Sequence, residues 1–149
     1  MTMKAREIMT PDPEIVTPEE PVSRAAQIMR DYNVGVVPVV SDASSRNLVG
    51  LITDRDIAVR HVADAHMKDC AVGAHMTRDA IETVQENDDS STVLEAMKRR
   101  EVRRIAVTNK NGKLVGMIAQ ADIAVTSEIP TDRVADVLEK ISQPAQPAR

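Results

Sequence analysis

The sequence predicts a mixed α/β (α+β) fold in which one β-α-β-β-α unit occurs twice in tandem. Residues 48–59 align with residues 114–125 at an offset of 66, and eight of these twelve positions are identical. In both copies an apolar run ends in a polar step and then restarts at an aspartate, which is typical of a strand entering a helix. A chain built from two copies of one unit is expected to act at or between those copies.

Composition limits the class of protein. The 149 residues are about one domain's worth, so two small units sharing a core are expected. Aromatic residues make up 1% of the chain and the net charge is −4, which together argue against binding to nucleic acid. No apolar run approaches the ~18 residues of a membrane span. The single cysteine, Cys70, and the acidic charge favour a cytoplasmic protein.

Each copy is expected to begin with a short turn, a minimal strand and a helix. The turn covers residues 4–9 in the first copy and 72–77 in the second, and the pair Met-Thr recurs at residues 9–10 and 76–77. Helices are expected to start at Pro21 and at residues 88–90. Apolar spacing of i, i+3, i+4 and i+7 predicts their buried faces. These faces are Val22, Ala25, Ala26 and Met29 in the first helix and Ser90, Val93, Leu94 and Met97 in the second.

Two apolar strands and a second helix complete each copy. The strands are expected at residues 34–40 and 48–52, and at 102–108 and 113–118. Pro38 inside the first strand indicates an edge or a bulge, and the pair Asn111-Gly112 indicates a hairpin turn. The helices that follow begin near Asp54 and Gln120.

The chain is expected to end in a helix and a loose tail. Thr131 is the expected cap of a helix over residues 132–141, whose apolar face is Val134, Val137, Leu138 and Ile141. The predicted organisation is repeat 1 at residues 4–64, repeat 2 at 65–128, a C-terminal helix at 129–143 and a flexible tail at 144–149.

The ordered motifs resemble those of the CBS-domain family. They are Val37-Pro38-Val39 and a Gly-apolar-apolar-Thr-x-x-Asp run from Gly50 to Asp56, within a unit that recurs. The resemblance implies a CBS pair, or Bateman module, with pseudo-twofold symmetry and two clefts between the repeats. Such clefts commonly hold AMP, ADP, ATP or S-adenosylmethionine. It further implies a regulatory module that is not an enzyme, that often forms homodimers, and that is similar to stand-alone bacterial hypoxic-response CBS proteins.

The resemblance assigns nucleotide-binding roles to residues at the strand-to-helix step. Asp56 and Asp122 would accept hydrogen bonds from ribose hydroxyls, the alternative being ordinary acidic residues at a helix start. Thr53 would bind phosphate at the helix N-terminus, the alternative being an N-cap. Ala119 replaces this threonine in the second copy, which puts phosphate binding by that route in doubt.

Further candidates lie on the second strand of each copy. Arg103 and Arg104 would reach the nucleotide phosphates, because guanidinium groups match phosphate geometry. The alternative is a solvated basic turn at a helix end. Val37, Pro38, Ile105 and Ala106 would line an adenine slot, or would be plain core residues.

Three residues between the repeats are of metal-ligand type, namely His66, Cys70 and His75. Their spacing matches no strong zinc pattern, so the prediction is no metal and no catalytic residue. The predicted function is sensing of an adenine nucleotide, with no required cofactor and an unknown protein partner. The alternatives are a ligand-free dimeric stress-response protein and, with less support, a metal-binding protein.

Overall fold

The computed structural model describes residues 3–65, 68–79, 81–126 and 129–142. Its elements follow the order that the repeat predicts, so the mixed α/β fold is confirmed. In chain order they are α1 (Ala5–Ile8), β1 (Thr10–Pro11), α2 (Val22–Tyr32), β2 (Val36–Val40), β3 (Leu48–Thr53), α3 (Asp54–Asp56), a π-helical turn (Ile57–Val62), α4 (Val72–His75), β4 (Thr83–Gln85), α5 (Ser90–Arg100), β5 (Arg104–Thr108), β6 (Leu114–Ala119), α6 (Gln120–Ala124) and α7 (Thr131–Ile141).

The chain divides into two compact units whose limits cross those of the sequence repeats. The C-terminal unit consists of the described parts of Met1–Pro11, Glu82–Asn109 and Val115–Arg149. The N-terminal unit consists of the described parts of Asp12–Ile81 and Lys110–Leu114. The opening segment of the chain therefore packs with the strands of the second repeat. The turn at Val72–His75 packs with the strands of the first.

The C-terminal unit is built on a four-stranded sheet in the order β1-β6-β5-β4. β1 pairs antiparallel with β6, and β4 pairs parallel with β5. Helices α1, α5, α6 and α7 contribute side chains to one apolar cluster with these strands. Its fully buried members include Met97, Ile105, Ile118 and Ile123. Such a core is made without aromatic residues, as the composition requires.

The N-terminal unit is built on β2 and β3, which pair antiparallel. Val16 forms a parallel bridge to Val39, and Thr77 forms an antiparallel bridge to Leu51, so short segments flank both strands. Pro38 is buried in the middle of β2, and the pairing register shifts just after it, between Val39 and Val40. The register shift agrees with the predicted irregularity, and β2 pairs with one strand, β3, while a single bridge to Val16 lies on its other side.

The predicted face of α2 is partly wrong. Val22 and Ala25 are buried as expected, but Ala26 is exposed and Met29 is only half-buried. Ile28 is buried instead, because the larger side chain removes more apolar area from water than an alanine can. On α5 the predicted Val93, Leu94 and Met97 are buried, joined by Ala96, while Ser90 is half-buried.

Helix α7 packs against α5 within the C-terminal unit. Val137 and Ile141 enter the core there, and Lys98 on α5 forms a 2.6 Å ion pair with Asp136. The Asp136 carboxylate accepts a hydrogen bond from the Lys98 ammonium and raises the pKa of that group. The predicted Thr131 cap is wrong, since Pro130 occupies the N-cap position and Thr131 is already helical. The predicted tail lies outside the described residues.

Replacing Ile141 by alanine is expected to destabilise the protein by about 2–5 kcal/mol, because it empties a buried site between α7 and the rest of its unit. Val125→Ala is the control, since Val125 is 82% exposed and should change stability by less than ~0.5 kcal/mol. Urea unfolding measures both. Equal effects would show that α7 does not pack as described.

A glycine in each repeat lets a Met-Thr segment approach a strand closely. A Cβ placed on Gly50 would lie 2.8 Å from the Thr77 carbonyl oxygen and 2.9 Å from Met76 Sδ. At Gly116 the same construction would overlap Met9 and lie 3.0 Å from the Thr10 carbonyl oxygen. The recurring Gly and the recurring Met-Thr pair thus belong to one packing arrangement, which is formed once in each unit.

Gly50→Ala is expected to destabilise the protein by about 1–3 kcal/mol, because the new methyl group meets backbone that cannot move aside. The backbone of Gly50 is not in the left-handed region, so alanine is compatible with it. The lower conformational entropy of the unfolded chain would then, by itself, stabilise the folded protein by ~0.4–1 kcal/mol. Urea unfolding decides between the two signs. A more stable variant would mean that Met76-Thr77 does not lie on Gly50.

Within the described residues, no helix has the length and apolarity needed to cross a bilayer.

Candidate functional site

Thr53 and Asp56 form the step from β3 into α3. The Thr53 N–H donates to Asp56 Oδ2 at 3.0 Å, and the Asp56 N–H donates to Thr53 Oγ1 at 3.0 Å. This reciprocal pair is a capping arrangement that satisfies donors at the helix start. Thr53 therefore acts here as an N-cap, and the structure does not test its predicted phosphate role.

The Asp56 carboxylate is also bound by two residues from elsewhere in the N-terminal unit. The Thr77 hydroxyl lies 3.2 and 3.3 Å from its two oxygens, and Arg60 Nε lies 3.7 Å from Oδ1. Asp56 is 8% exposed. A carboxylate accepts about four hydrogen bonds. With Thr53, Thr77 and Arg60 already as partners, a ribose that brings two hydroxyls must displace one of them.

Asp122 occupies the matching step from β6 into α6 but is held less completely. Its Oδ2 accepts a hydrogen bond from the Ala119 N–H at 2.8 Å, and the residue is half-buried. The Thr126 hydroxyl, one turn later, donates to the Asp122 backbone carbonyl and not to the carboxylate. Among the described residues, Ala119 supplies the one hydrogen bond to this carboxylate, so Asp122 is better placed than Asp56 to accept new donors.

Arg103 and Arg104 lie beside the Asp122 step. The Gln120 N–H at the start of α6 donates to the Arg103 carbonyl at 2.9 Å, so the strand start and helix start are directly joined. Both arginines are exposed. In the N-terminal unit the same bond runs from the Asp54 N–H to the Gly35 carbonyl at 3.0 Å, where no arginine is present.

The eight predicted nucleotide-binding residues thus fall into two groups of four. Those in the C-terminal unit are Arg103, Arg104, Ile105 and Asp122, and those in the N-terminal unit are Val37, Pro38, Thr53 and Asp56. Val37, Pro38, Ile105 and Ala106 are all buried, as the alternative core interpretation expects. Their role in an adenine slot stays a prediction.

A cluster of metal-ligand side chains lies in the N-terminal unit. His61, Cys70 and His75 each offer a ligand atom, and these atoms lie within 4.8 Å of one another. The sequence interpretation named Cys70 and His75 but took His66 as the third member. His66 lies outside the described residues, and the sequence analysis did not name His61, which follows the repeated stretch. The available signal was that His61 is a histidine, a common metal ligand, and lies near Cys70 in the sequence.

The two imidazoles of this cluster are in contact. His61 Nδ1 lies 3.3 Å from His75 Nε2, and the rings meet edge to face with centroids 5.1 Å apart. His75 is 5% exposed, whereas His61 and Cys70 are half-buried. Two nitrogen ligands of a tetrahedral zinc ion, each ~2.0–2.1 Å from the metal, would lie ~3.3 Å apart. Among the described residues, this donor set supplies three of the four ligands of a tetrahedral zinc site.

The comparison with protein families agrees with the repeat. A model described as the CBS domain matches residues 5–61 and again residues 71–129. The chain belongs to the CBS-domain family. Because the family model matches twice in tandem, the chain is a CBS pair, and the resemblance inferred from the motifs is confirmed.

Several relatives of this CBS pair match along almost their whole length. The uncharacterized protein YlbB of Bacillus subtilis is 36% identical, with 94% of this chain and 92% of YlbB covered. Hypoxic response protein 1 of Mycobacterium tuberculosis is 31% identical, with 94% of each chain covered. The predicted similarity to hypoxic-response CBS proteins is therefore confirmed.

Two solved structures that are similar to this chain contain bound zinc ions or adenosyl ligands. The crystal structure of Hypoxic Response Protein I with two coordinated zinc ions matches with a TM-score of 0.73 and 31% identity, covering 86% of this chain and 100% of that one. The CBS domain pair of protein MJ0100, in complex with 5′-methylthioadenosine and S-adenosyl-L-methionine, matches with a TM-score of 0.68 and 25% identity. That match covers 83% of this chain and 94% of the MJ0100 pair.

Proposed function

We propose that this CBS pair is a regulatory module that binds an adenosine compound, with its stronger site at Asp122, Arg103 and Arg104. The single observation that carries the proposal is the hydrogen bond from the Gln120 N–H to the Arg103 carbonyl. It joins the start of α6, which bears the ribose acceptor, to the strand start that bears both guanidinium groups.

The chemistry of these side chains suits a nucleotide. A carboxylate with available lone pairs can accept hydrogen bonds from two ribose hydroxyls. Two exposed guanidinium groups can donate hydrogen bonds to the phosphate oxygens, because the planar fork of N–H donors on each group matches phosphate geometry. AMP, ADP and ATP bring a multiply charged phosphate to the arginines, whereas S-adenosylmethionine brings one carboxylate together with an ammonium and a sulfonium group, which the arginines repel. The arginine pair therefore favours a phosphorylated ligand.

Asp56 forms the weaker, second site of the proposal. Its carboxylate is equivalent in the repeat, but the Thr77 hydroxyl and Arg60 compete with a ribose for it. The complex of the MJ0100 domain pair with adenosyl ligands supports the ligand class. The proposal includes a cytoplasmic homodimer that performs no catalytic step and signals ligand binding to a protein partner.

Isothermal titration calorimetry tests this function. Protein that has been unfolded, washed and refolded to remove carried-over ligand is titrated with AMP, ADP, ATP and S-adenosylmethionine. We expect the phosphorylated ligands to bind more tightly than S-adenosylmethionine. No heat from any of the four compounds at high micromolar concentration would reject the proposal.

Zinc binding is a second candidate function, favoured by the His61–Cys70–His75 cluster. It departs from the sequence prediction of no metal. The coordinated zinc ions of Hypoxic Response Protein I, a 31% identical relative, support it. When bound, zinc would supply a rigid link between the chain segments that hold its ligands. Elemental analysis of purified protein, repeated after dialysis against a chelator and readdition of Zn²⁺, tests this candidate.

A further inference from the structure

Two short segments of the N-terminal unit serve both the metal-ligand cluster and Asp56. The π-helical turn carries Arg60 next to His61, so one residue approaches the carboxylate and its neighbour offers a ligand atom. The segment that ends α4 carries His75 and, two residues later, Thr77. His75 belongs to the cluster, and Thr77 donates to Asp56.

Arg60 ties these two segments together. Its Nη1 donates to the carbonyls of Met76 and His75 at 3.3 and 3.5 Å, while its Nε lies 3.7 Å from Asp56 Oδ1. Thr77 is fixed in turn on β3, where its N–H donates to the Leu51 carbonyl at 2.7 Å and its carbonyl accepts from the Leu51 N–H at 3.0 Å. A displacement of either segment therefore changes the surroundings of both the cluster and the carboxylate.

The arrangement that suits a metal is the same one that covers Asp56. His61 Nδ1 and His75 Nε2 are 3.3 Å apart, close to the ~3.3 Å spacing of two nitrogen ligands on tetrahedral zinc. In the same structure the Thr77 hydroxyl lies within hydrogen-bond distance of both carboxylate oxygens. A metal that holds His61 and His75 at this spacing would stabilise the covered state of Asp56.

A ribose at Asp56 requires the opposite change. The Thr77 hydroxyl or the Arg60 guanidinium must leave the carboxylate, and these two groups lie on the segments that carry His75 and His61. A ligand moves such an equilibrium only through its different affinity for the two states. Zinc would favour the covered state and an adenosine compound the uncovered one.

We therefore propose that metal binding at His61, Cys70 and His75 lowers the affinity of the Asp56 site for an adenosine compound. This regulation rests on the proposed function, because it acts on one of its two sites. Linkage makes the effect reciprocal, so the nucleotide lowers the affinity for zinc by the same factor, and couplings of this kind are typically ~5- to 150-fold.

The C-terminal unit provides an internal reference. At the repeat offset of 66, Arg60 and His61 correspond to Thr126 and Ser127, which are neither cationic nor common zinc ligands. Zinc is therefore expected to leave the Asp122 site unchanged. The regulation would make the two sites respond differently to the same nucleotide.

The experiment isolates the Asp56 site with Asp122→Ala and titrates AMP by calorimetry, first with chelator-stripped protein and then with zinc-loaded protein. The expected result is that zinc weakens AMP binding by at least ~5-fold. Adding Cys70→Ser to the same protein should remove this zinc effect, and adding Val125→Ala, which alters an exposed residue of the C-terminal unit, should retain it. Far-UV circular dichroism verifies folding, and His61→Ala replaces Cys70→Ser if the latter is unfolded.

The outcomes separate this proposal from the proposed function. Equal AMP affinity with and without zinc would overturn the regulation and leave nucleotide binding intact. So would an Asp122→Ala protein that binds no AMP while the wild type does. A wild-type protein that binds none of the four adenosine compounds would overturn both. A zinc effect that survives Cys70→Ser would also overturn the proposal, because the metal would then act elsewhere.

Discussion

Asp122→Ala is expected to weaken AMP binding by ~10- to 100-fold. The substitution removes a carboxylate acceptor, and hydrogen bonds to charged groups contribute ~1.5–3 kcal/mol each. Asp122 has the largest expected effect because its carboxylate is held by the Ala119 N–H alone among the described residues. The remaining oxygen can bind a ribose hydroxyl without first losing a partner.

Asp56→Ala is the matched control for that experiment. Its carboxylate is covered by Thr77 and Arg60, so its loss should weaken AMP binding at the stronger site by less than ~3-fold. Calorimetry with chelator-stripped protein compares the two variants with the wild type. An Asp56→Ala protein that loses more affinity than Asp122→Ala would reverse the assignment of the stronger site.

His75→Ala is expected to lower the affinity for zinc at least ~100-fold. Metal binding needs all ligands of a three-residue site, and the lost nitrogen is the most deeply buried of the three, with His75 5% exposed. Competition with a chromophoric chelator measures the affinity. Because His75 also contacts His61, thermal unfolding of the zinc-stripped variant is needed to verify that it is folded.

His66→Ala is the comparison for zinc binding, because the sequence prediction took His66 as a metal-ligand type and His66 lies outside the described residues. Its zinc affinity should equal that of the wild type. If His66→Ala loses zinc and His61→Ala does not, the set His66, Cys70 and His75 would hold the metal and the described cluster would not.

The order of helices and strands could be predicted because the same pattern of apolar and polar residues occurs in both copies of the repeat. Residues 48–59 and 114–125 gave the same strand-to-helix step independently, and the periodic apolar faces of α5 and α7 were found at the expected positions. Errors came where local rules compete. Ala26 fits the helical spacing but has too small a side chain to determine which face is buried, and Pro130 took the cap position expected for Thr131.

The surroundings of the site could not be predicted, because they depend on contacts between distant segments. Asp56 and Asp122 are equivalent in the repeat, yet only Asp56 receives a hydroxyl from Thr77, 21 residues away. Thr10, the sequence counterpart of Thr77, is exposed. The cluster likewise requires three segments to meet, namely the π-helical turn with His61, the segment before α4 with Cys70 and the end of α4 with His75. The spacing of the three residues in sequence gives no sign of this.

The most direct test of the account is a two-dimensional ¹⁵N–¹H NMR titration of chelator-stripped protein with AMP. It follows every backbone amide while the ligand is added, so it locates binding without a substitution. The predicted result is that the amides of residues 103–106 and 119–122 shift at the lowest AMP concentrations, and those of residues 53–56 and 77 shift only at higher ones. Shifts confined to other residues, or none at millimolar AMP, would contradict the account.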